Sequence, residues 1–240
     1  VGRLPEINLI MNEIRDLFNI PLPLKGNKVL ITAGPTREWI DPVRYISNSS
    51  SGKMGYSIAK SARDKGAEVI LISGPVALNE IAGVNTIKVE TSDEMMNAVQ
   101  QKLIEIEDLD YLYMCAAVSD YKLKNISQEK IKRKNLSPSI EIIPAVDILK
   151  SIKVNGKTKV IAFALETHFN PDEAMRKLNE KNADFIAMNI TQKNVTGFDS
   201  ETNELFIYSK SGKLKELKLN HKSKIASQLI DYVISCDKLN

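Results

Sequence analysis

The chain has 240 residues, 43% of them hydrophobic and 26% charged, with 33 Lys plus Arg against 30 Asp plus Glu. A chain of that length and balance buries a core without disulfide or metal staples, which excludes disorder and fibrous repeats. A net charge of +3 with only 6% aromatic residues argues against a nucleic-acid partner, and the longest apolar runs, 111–118 and 160–165, fall far short of the ~18 residues of a membrane-spanning helix.

At the N-terminus Ile10, Ile14, Leu17 and Phe18 share one helical face, and Pro21, Pro23 and Gly26 follow. Residues 1–27 therefore read as a leading helix and linker, and 28–240 as the functional domain. The start at Val1 fits either a removed Met or a domain cut from a longer polypeptide. A β-branched strand over 28–32 runs into Ala33-Gly34-Pro35, and a long turn-rich loop then leads to a helix over 52–65 closed by Gly66. Strands come next at 69–73 and 86–90, followed by a helix that Thr91 or Ser92 caps and that runs to Ile104. The segments 110–118 and 159–165 are continuously apolar, as strands covered on both faces are. A helix over 171–181 precedes a strand over 185–189. Strands over 204–209 and 213–219 flank the turn Lys210-Ser211-Gly212, and a final helix from Lys222 carries Ile225, Leu229, Ile230 and Val233 on its inner face. The alternation predicts an α/β fold: a Rossmann-like, doubly wound, mostly parallel sheet with a C-terminal β-hairpin and helix.

Ligands of such sheets bind beyond the C-terminal strand ends, where the strand order reverses. The loop after the first strand is dense in hydroxyls and amides, carries Arg37 and Arg44, and ends at a helix start, Gly52-Lys53-Met54-Gly55. Free backbone N–H groups at a helix N-terminus attract anions. It is not a P-loop: Ser47 stands where the first glycine belongs and Met54 follows Lys53. Nor is it a GxGxxG fingerprint, since Ser50 stands two before Gly52. Asp120 ends an apolar run, where it either accepts from a ribose hydroxyl or base amine, holds a divalent cation, or caps a turn. The cluster Lys130, Lys132, Arg133 and Lys134 is a solvated surface or a mobile lid over phosphates. Lys177 and Lys181 lie four apart on one helix, and Phe163 sits mid-strand as core.

Two unpaired cysteines, Cys115 and Cys236, fit a reducing, cytoplasmic setting, and two isolated histidines argue against a structural metal. From the sheet alone, an NAD(P)-dependent oxidoreductase is one reading, disfavoured by the missing GxGxxG, and a non-catalytic nucleotide-sensing module is another.

The stretches 31–38, 41–48 (Asp-Pro-Val-Arg-Tyr-Ile-Ser-Asn) and 50–55 (Ser-Ser-Gly-Lys-Met-Gly), with Ala116-Ala117-Val118, Asp120-Tyr121, Glu129-Lys130-Ile131-Lys132, Glu166-Thr167, Lys181-Asn182 and Gly197-Phe198, resemble phosphopantothenoylcysteine synthetase. That resemblance, over residues 28 to about 235, implies a ligase of coenzyme A biosynthesis that activates 4'-phosphopantothenate with CTP and Mg2+ and then couples L-cysteine. It implies catalytic roles for Asn48 and Lys130, and contacts to the phosphopantothenoyl group from Arg44, Asn48 and Ala116. Gly52, Lys53, Ala116, Asp120, Lys130, the run Val146, Asp147, Ile148 and Leu149, and Phe163, Lys177 and Lys181 would surround the nucleotide. No residue is assigned to the metal. A homodimer and a fused upstream decarboxylase are further family expectations. The chain departs from the family pattern at Leu165, at Ile190 and at Ala145-Val146, which affects packing at the first and leaves no family role at the second.

Overall fold

A computed structural model of the chain describes residues 21–133, 139–190, 200–212 and 214–237, with Pro5, Leu9, Ile10, Glu13, Ile14, Leu17 and Phe18 ahead of them. Lys134, Gly197, Phe198 and Lys213 lie outside the described residues. Leu9, Ile10, Glu13, Ile14 and Leu17 are helical, as the N-terminal periodicity predicts, and Leu17 and Phe18 are exposed.

The chain then runs through β1 (Lys28–Ala33), β2 (Arg37–Asp41), β3 (Arg44–Ser47), α1 (Lys53–Asp64), β4 (Glu68–Ser73), β5 (Asn85–Lys88) and α2 (Ser92–Glu105). There follow β6 (Tyr111–Met114), β7 (Tyr121–Leu123), β8 (Ile142–Pro144), α3 (Ile148–Ser151), β9 (Lys159–Glu166) and α4 (Pro171–Glu180). The last elements are β10 (Phe185–Ile190), β11 (Thr202–Ser209), β12 (Leu214–His221) and α5 (Lys222–Asp237).

Eight strands form one sheet in the order β12-β11-β10-β9-β6-β1-β4-β5. The six from β5 to β10 are parallel, and β11 and β12 close one edge as an antiparallel hairpin. The parallel strands grow outward in two directions from β1, so the strand order reverses between β1 and β6. This is the Rossmann-like order that the alternation of elements predicts.

Alternate residues of the apolar strands separate into two cores. Val29, Ile31, Tyr111, Tyr113, Ile161 and Ala187 pack with Ile58, Leu229 and Val233 on the face covered by α1 and α5. Leu30, Leu112, Val160, Ala162, Ile186 and Met188 pack with Met95, Ile148, Ala174 and Leu178 on the face covered by α2, α3 and α4. The inward residues expected on the final helix, Ile225, Leu229, Ile230 and Val233, are all fully buried.

Three readings of the chain are corrected. The stretch between β1 and α1 is not one loop: β2 and β3 pair as an antiparallel hairpin with Trp39 opposite Tyr45, their rings edge to face at 5.2 Å. Arg37 lies 4.5 Å above the Tyr45 ring. Neither short strand alternates: Arg37-Glu38 and Trp39-Ile40 come as pairs in β2, and Tyr45-Ile46 as a pair in β3, so no strand period is legible. A second hairpin, β7 with β8, spans the basic stretch, and neither of its three-residue strands has a legible periodicity. The expected strand over 110–118 also ends early, at Met114, because the chain beyond it leaves the sheet to line the cleft described below.

α1 starts at Gly52, whose φ of 74° places the cap in the left-handed region. One turn later Gly55 presses the helix onto β1, and a Cβ there would sit 2.5 Å from Cβ of Ala33. Gly55→Ala is expected to cost about 1–3 kcal/mol through overpacking, read from urea denaturation midpoints with an unchanged m-value.

Candidate active site

The switch point is held open by threonines. Thr32 Oγ1 at the end of β1 accepts from Ala116 N at 3.2 Å, and Thr36 Oγ1 accepts from Ser119 N at 2.9 Å. Ala117 N donates to Gly34 O at 2.9 Å. Three bonds thus lash the β6 loop to the β1 loop and fix the floor of a cleft of about 460 Å³ along the C-terminal edges of β1, β6, β9 and β10. That volume lies in the usual range for a small-molecule site.

Of the residues singled out from the sequence, Asn48, Gly52, Lys53, Ala116, Asp120, Val146, Asp147, Ile148, Leu149, Phe163, Lys177 and Lys181 all line this cleft. The cleft straddles the sheet edge. Ala116, Val146, Ile148 and Leu149 belong to the α3/α4 side, while Met54, Cys115 and Phe163 pack on the α1/α5 side.

Lys177 of α4 and Lys181, its C-cap, each have an anion within reach. Lys177 Nζ contacts Glu166 Oε1 and lies 3.6 Å from Glu173, and Lys181 Nζ lies 3.6 Å from Asp147 Oδ2. Asp147 also caps α3 by accepting from Lys150 N at 3.3 Å. Across the cleft Lys53 Nζ meets Glu201 at 2.5 Å. The cations are therefore held by carboxylates that a polyphosphate of higher charge density can displace.

Asn48 Nδ2 donates to Ala117 O at 3.2 Å and to Val118 O at 3.0 Å. Two carbonyl acceptors require both hydrogens of the amide, so the atom left for a ligand is Oδ1, an acceptor.

Arg44 and Lys130 are not among the residues lining the cleft. What joins them is Asp41, which is fully buried. Its Oδ1 accepts from Val43 N and Arg44 N, each at 2.9 Å, and its Oδ2 accepts from Arg44 Nε at 3.0 Å, from Arg44 Nη2, and from Ile131 N at 3.1 Å. Arg44 Nη2 in turn donates to Ile131 O at 2.9 Å. The Arg44 guanidinium beside Asp41, with the backbone N–H groups, holds its carboxyl far below the usual carboxylate range. The Lys130 segment is thereby tied to the β2–β3 hairpin.

Sequence reasoning missed Asp41 as this hub, and it missed Thr32, Asn189, Asn203 and Lys222, all of which line the cleft. No signal in the sequence marks them, since a polar residue reads as solvent-facing, yet Asn203 and Lys222 are only 2% and 5% exposed. Cys115 also lines the cleft, and burial pushes its thiol up to about 12 against the opposing charge of Lys222. It stays protonated at neutral pH and is no thiolate nucleophile.

Fold and cleft together define a Rossmann-like domain with a polar, lysine-flanked ligand site at the switch point. The chain belongs to the DNA/pantothenate metabolism flavoprotein C-terminal domain family, whose model matches residues 24–236. It is 39% identical over 220 residues, 90% of this chain and 54% of the relative, to the coenzyme A biosynthesis bifunctional protein CoaBC of Vibrio vulnificus. The chain thus spans about half the length of the curated relatives it matches. It is also similar to the crystal structure of the C-terminal domain of coenzyme A biosynthesis bifunctional protein CoaBC, with 39% identity, a TM-score of 0.76, and coverage of 91% of this chain and 99% of that one. A Cab2 mutant in complex with phosphopantothenate-cysteine shares the fold at 18% identity, with a TM-score of 0.69 over 99% of this chain and 95% of that one. No helix among the described residues is long and apolar enough to cross a membrane.

Proposed function

We propose that this domain is the phosphopantothenoylcysteine synthetase of coenzyme A biosynthesis: a cytoplasmic ligase that joins 4'-phosphopantothenate to L-cysteine at the expense of CTP. The observation that carries the reading is the single cleft in which Asn48, the N-terminus of α1, and Lys177 with Lys181 converge, in a chain whose relatives are coenzyme A biosynthesis proteins.

The reaction has two steps. The pantothenate carboxylate attacks the α-phosphorus of CTP, an acyl–phosphate bond forms, and pyrophosphate leaves. The cysteine amine then attacks the acyl carbon, a C–N bond forms, the C–O bond to CMP breaks, and the amine proton is lost. The first step gathers anions, so cationic donors must face the triphosphate. Lys177 and Lys181 would exchange Glu166 and Asp147 for phosphate oxygens, and Lys53 with the free N–H groups of α1 would meet the phosphate at the other wall. Ala116, the Val146 to Leu149 run and Phe163 would enclose the nucleoside. Lys130 would close over the activated intermediate, and Arg44 would hold the phosphopantothenoyl end.

In the second step Asn48 Oδ1 would accept from the attacking amine and orient its lone pair. Among the described residues no cluster of three or more His, Cys, Asp or Glu forms a cation cage. Mg2+ would therefore arrive on the triphosphate, with the exposed Asp120 carboxylate beside it, and would neutralise phosphate charge. As a further part of this reading, residues 1–27 link the ligase domain 28–240 to an upstream decarboxylase, and the domain works as a homodimer.

The experiment is pyrophosphate release on mixing the protein with 4'-phosphopantothenate, CTP and Mg2+ without cysteine. Release that requires both the acid and CTP is the expected result. No release with CTP or with ATP would remove the reading.

A further inference from the structure

Two buried amide oxygens in the cleft have no hydrogen-bond partner: Oδ1 of Asn189 and Oδ1 of Asn203. Asn203 is 2% exposed, and its Nδ2 reaches only the Met54 sulfur at 3.8 Å. A buried acceptor without a donor costs stability, so two in one cavity call for a ligand that brings donors.

Their position on the sheet narrows the ligand. Along β10, Ala187 packs on the α1/α5 side and Met188 on the other, so the alternation turns Asn189 to the α1/α5 side. Asn203 lies there as well, against Met54 of α1. Lys222, the first residue of α5, is 5% exposed and lines the same cleft. Lys177 on α4 and Lys181 at its C-cap sit across the sheet edge, where α4 packs.

A phosphate or a polyphosphate brings only acceptors and would set its lone pairs against the two amide oxygens. An ammonium group brings three N–H donors, and a carboxylate on the same small molecule would sit in the positive field of Lys222. Those are the two ends of an α-amino acid zwitterion.

We propose that Asn189 and Asn203 form the binding site for the α-amino group of the amino-acid substrate, with Lys222 facing its carboxylate. This rests on the ligase reading above and assigns its second substrate to the α1/α5 side of the cleft. The amine then approaches the acyl carbon from the α1/α5 side of the cleft, across the sheet edge from Lys177 and Lys181. Neutral acceptors suit this task because they hold an amine without stabilising the ammonium form as a carboxylate would, which eases the loss of the proton before attack.

The test compares the wild-type protein with Asn203→Leu and, independently, with Asn189→Leu at a less buried position. Each is expected to raise KM for cysteine by about tenfold while KM for CTP moves by less than about twofold. Thermal midpoints should hold or rise, because an unpaired buried oxygen is replaced by an apolar group of similar size. An unchanged KM for cysteine in both variants overturns the proposal. So does an equal rise in KM for CTP, or a lowered thermal midpoint with all parameters reduced together, which is the mark of a structural role. Pyrophosphate release by the wild-type protein without cysteine tests the ligase reading separately, so the two failures are distinguishable.

Discussion

Asn48→Ala is expected to slow cysteine coupling by roughly 100-fold, the scale of losing about an ångström of positioning at a reacting centre, while pyrophosphate release falls by less than about tenfold. Two effects combine in the coupling step. The variant removes the Oδ1 acceptor, and it strands the carbonyls of Ala117 and Val118, to which Asn48 donates at 3.2 and 3.0 Å. Those carbonyls belong to the loop that forms the cleft floor, so losing the amide loosens the wall against which the acyl group is held. Asn48→Asp separates the two effects, since it keeps an acceptor and loses the donors. Rapid-quench measurement of CMP formation after cysteine addition reads the step directly. Equal losses in pyrophosphate release and coupling would show that Asn48 serves binding in general.

Asp41→Asn comes second, with an expected loss of about 30- to 100-fold in overall kcat/KM. Asp41 contacts no part of the cleft, yet it sets the positions of Arg44 and of the backbone next to Lys130 through five hydrogen bonds, every one accepted by its carboxylate. An amide in its place offers one oxygen and turns N–H against N–H. The pH dependence follows with a definite sign. The folded carboxyl is held below its ordinary value near 3.8, so the stabilisation it gives is fully present above that value and is lost as pH falls below it. Urea midpoints at pH 7, 5 and 3 should therefore drop more steeply below pH 4 for the wild-type protein than for Asp41→Asn. Parallel curves would show that Asp41 is not held as a low-pKa carboxylate.

Much of this architecture is legible in the sequence, for physical reasons that differ by element. The buried parallel strands announce themselves because a strand covered on both faces reads as a continuous apolar run, as Val29 to Ala33 and Val160 to Ala162 do. The final helix is legible because α5 presents one full apolar stripe. The β2–β3 and β7–β8 hairpins are not, because strands of three to five residues are too short to show a period and mix charged, aromatic and aliphatic residues without a dominant face. Glu38 shows the difficulty: it reads as a surface charge, yet it is 5% exposed and accepts from Ser92 N at 3.0 Å.

The site divides in the same way. Loop residues such as Asn48 and Lys53 stand out because hydroxyls, amides and cations crowd a strand-to-helix turn at which ligands bind. Asp41, Asn189, Asn203 and Lys222 are silent because their meaning depends on what the fold packs around them. A polar residue reads as solvent-facing until burial and hydrogen-bond partners are counted. The early end of β6 at Met114 is similar in origin, since apolar residues 115–118 serve the cleft floor and not the sheet.

The most direct measurement is a two-stage mixing experiment on the wild-type protein. In the first stage, 4'-phosphopantothenate, excess CTP and Mg2+ are added without cysteine; in the second, cysteine is added, with pyrophosphate and CMP followed separately. A burst of about one pyrophosphate per site with no CMP, followed by CMP release on cysteine addition, is the expected result for two steps sharing one cleft. CMP appearing together with pyrophosphate before cysteine is present, or no pyrophosphate at either stage, would contradict it.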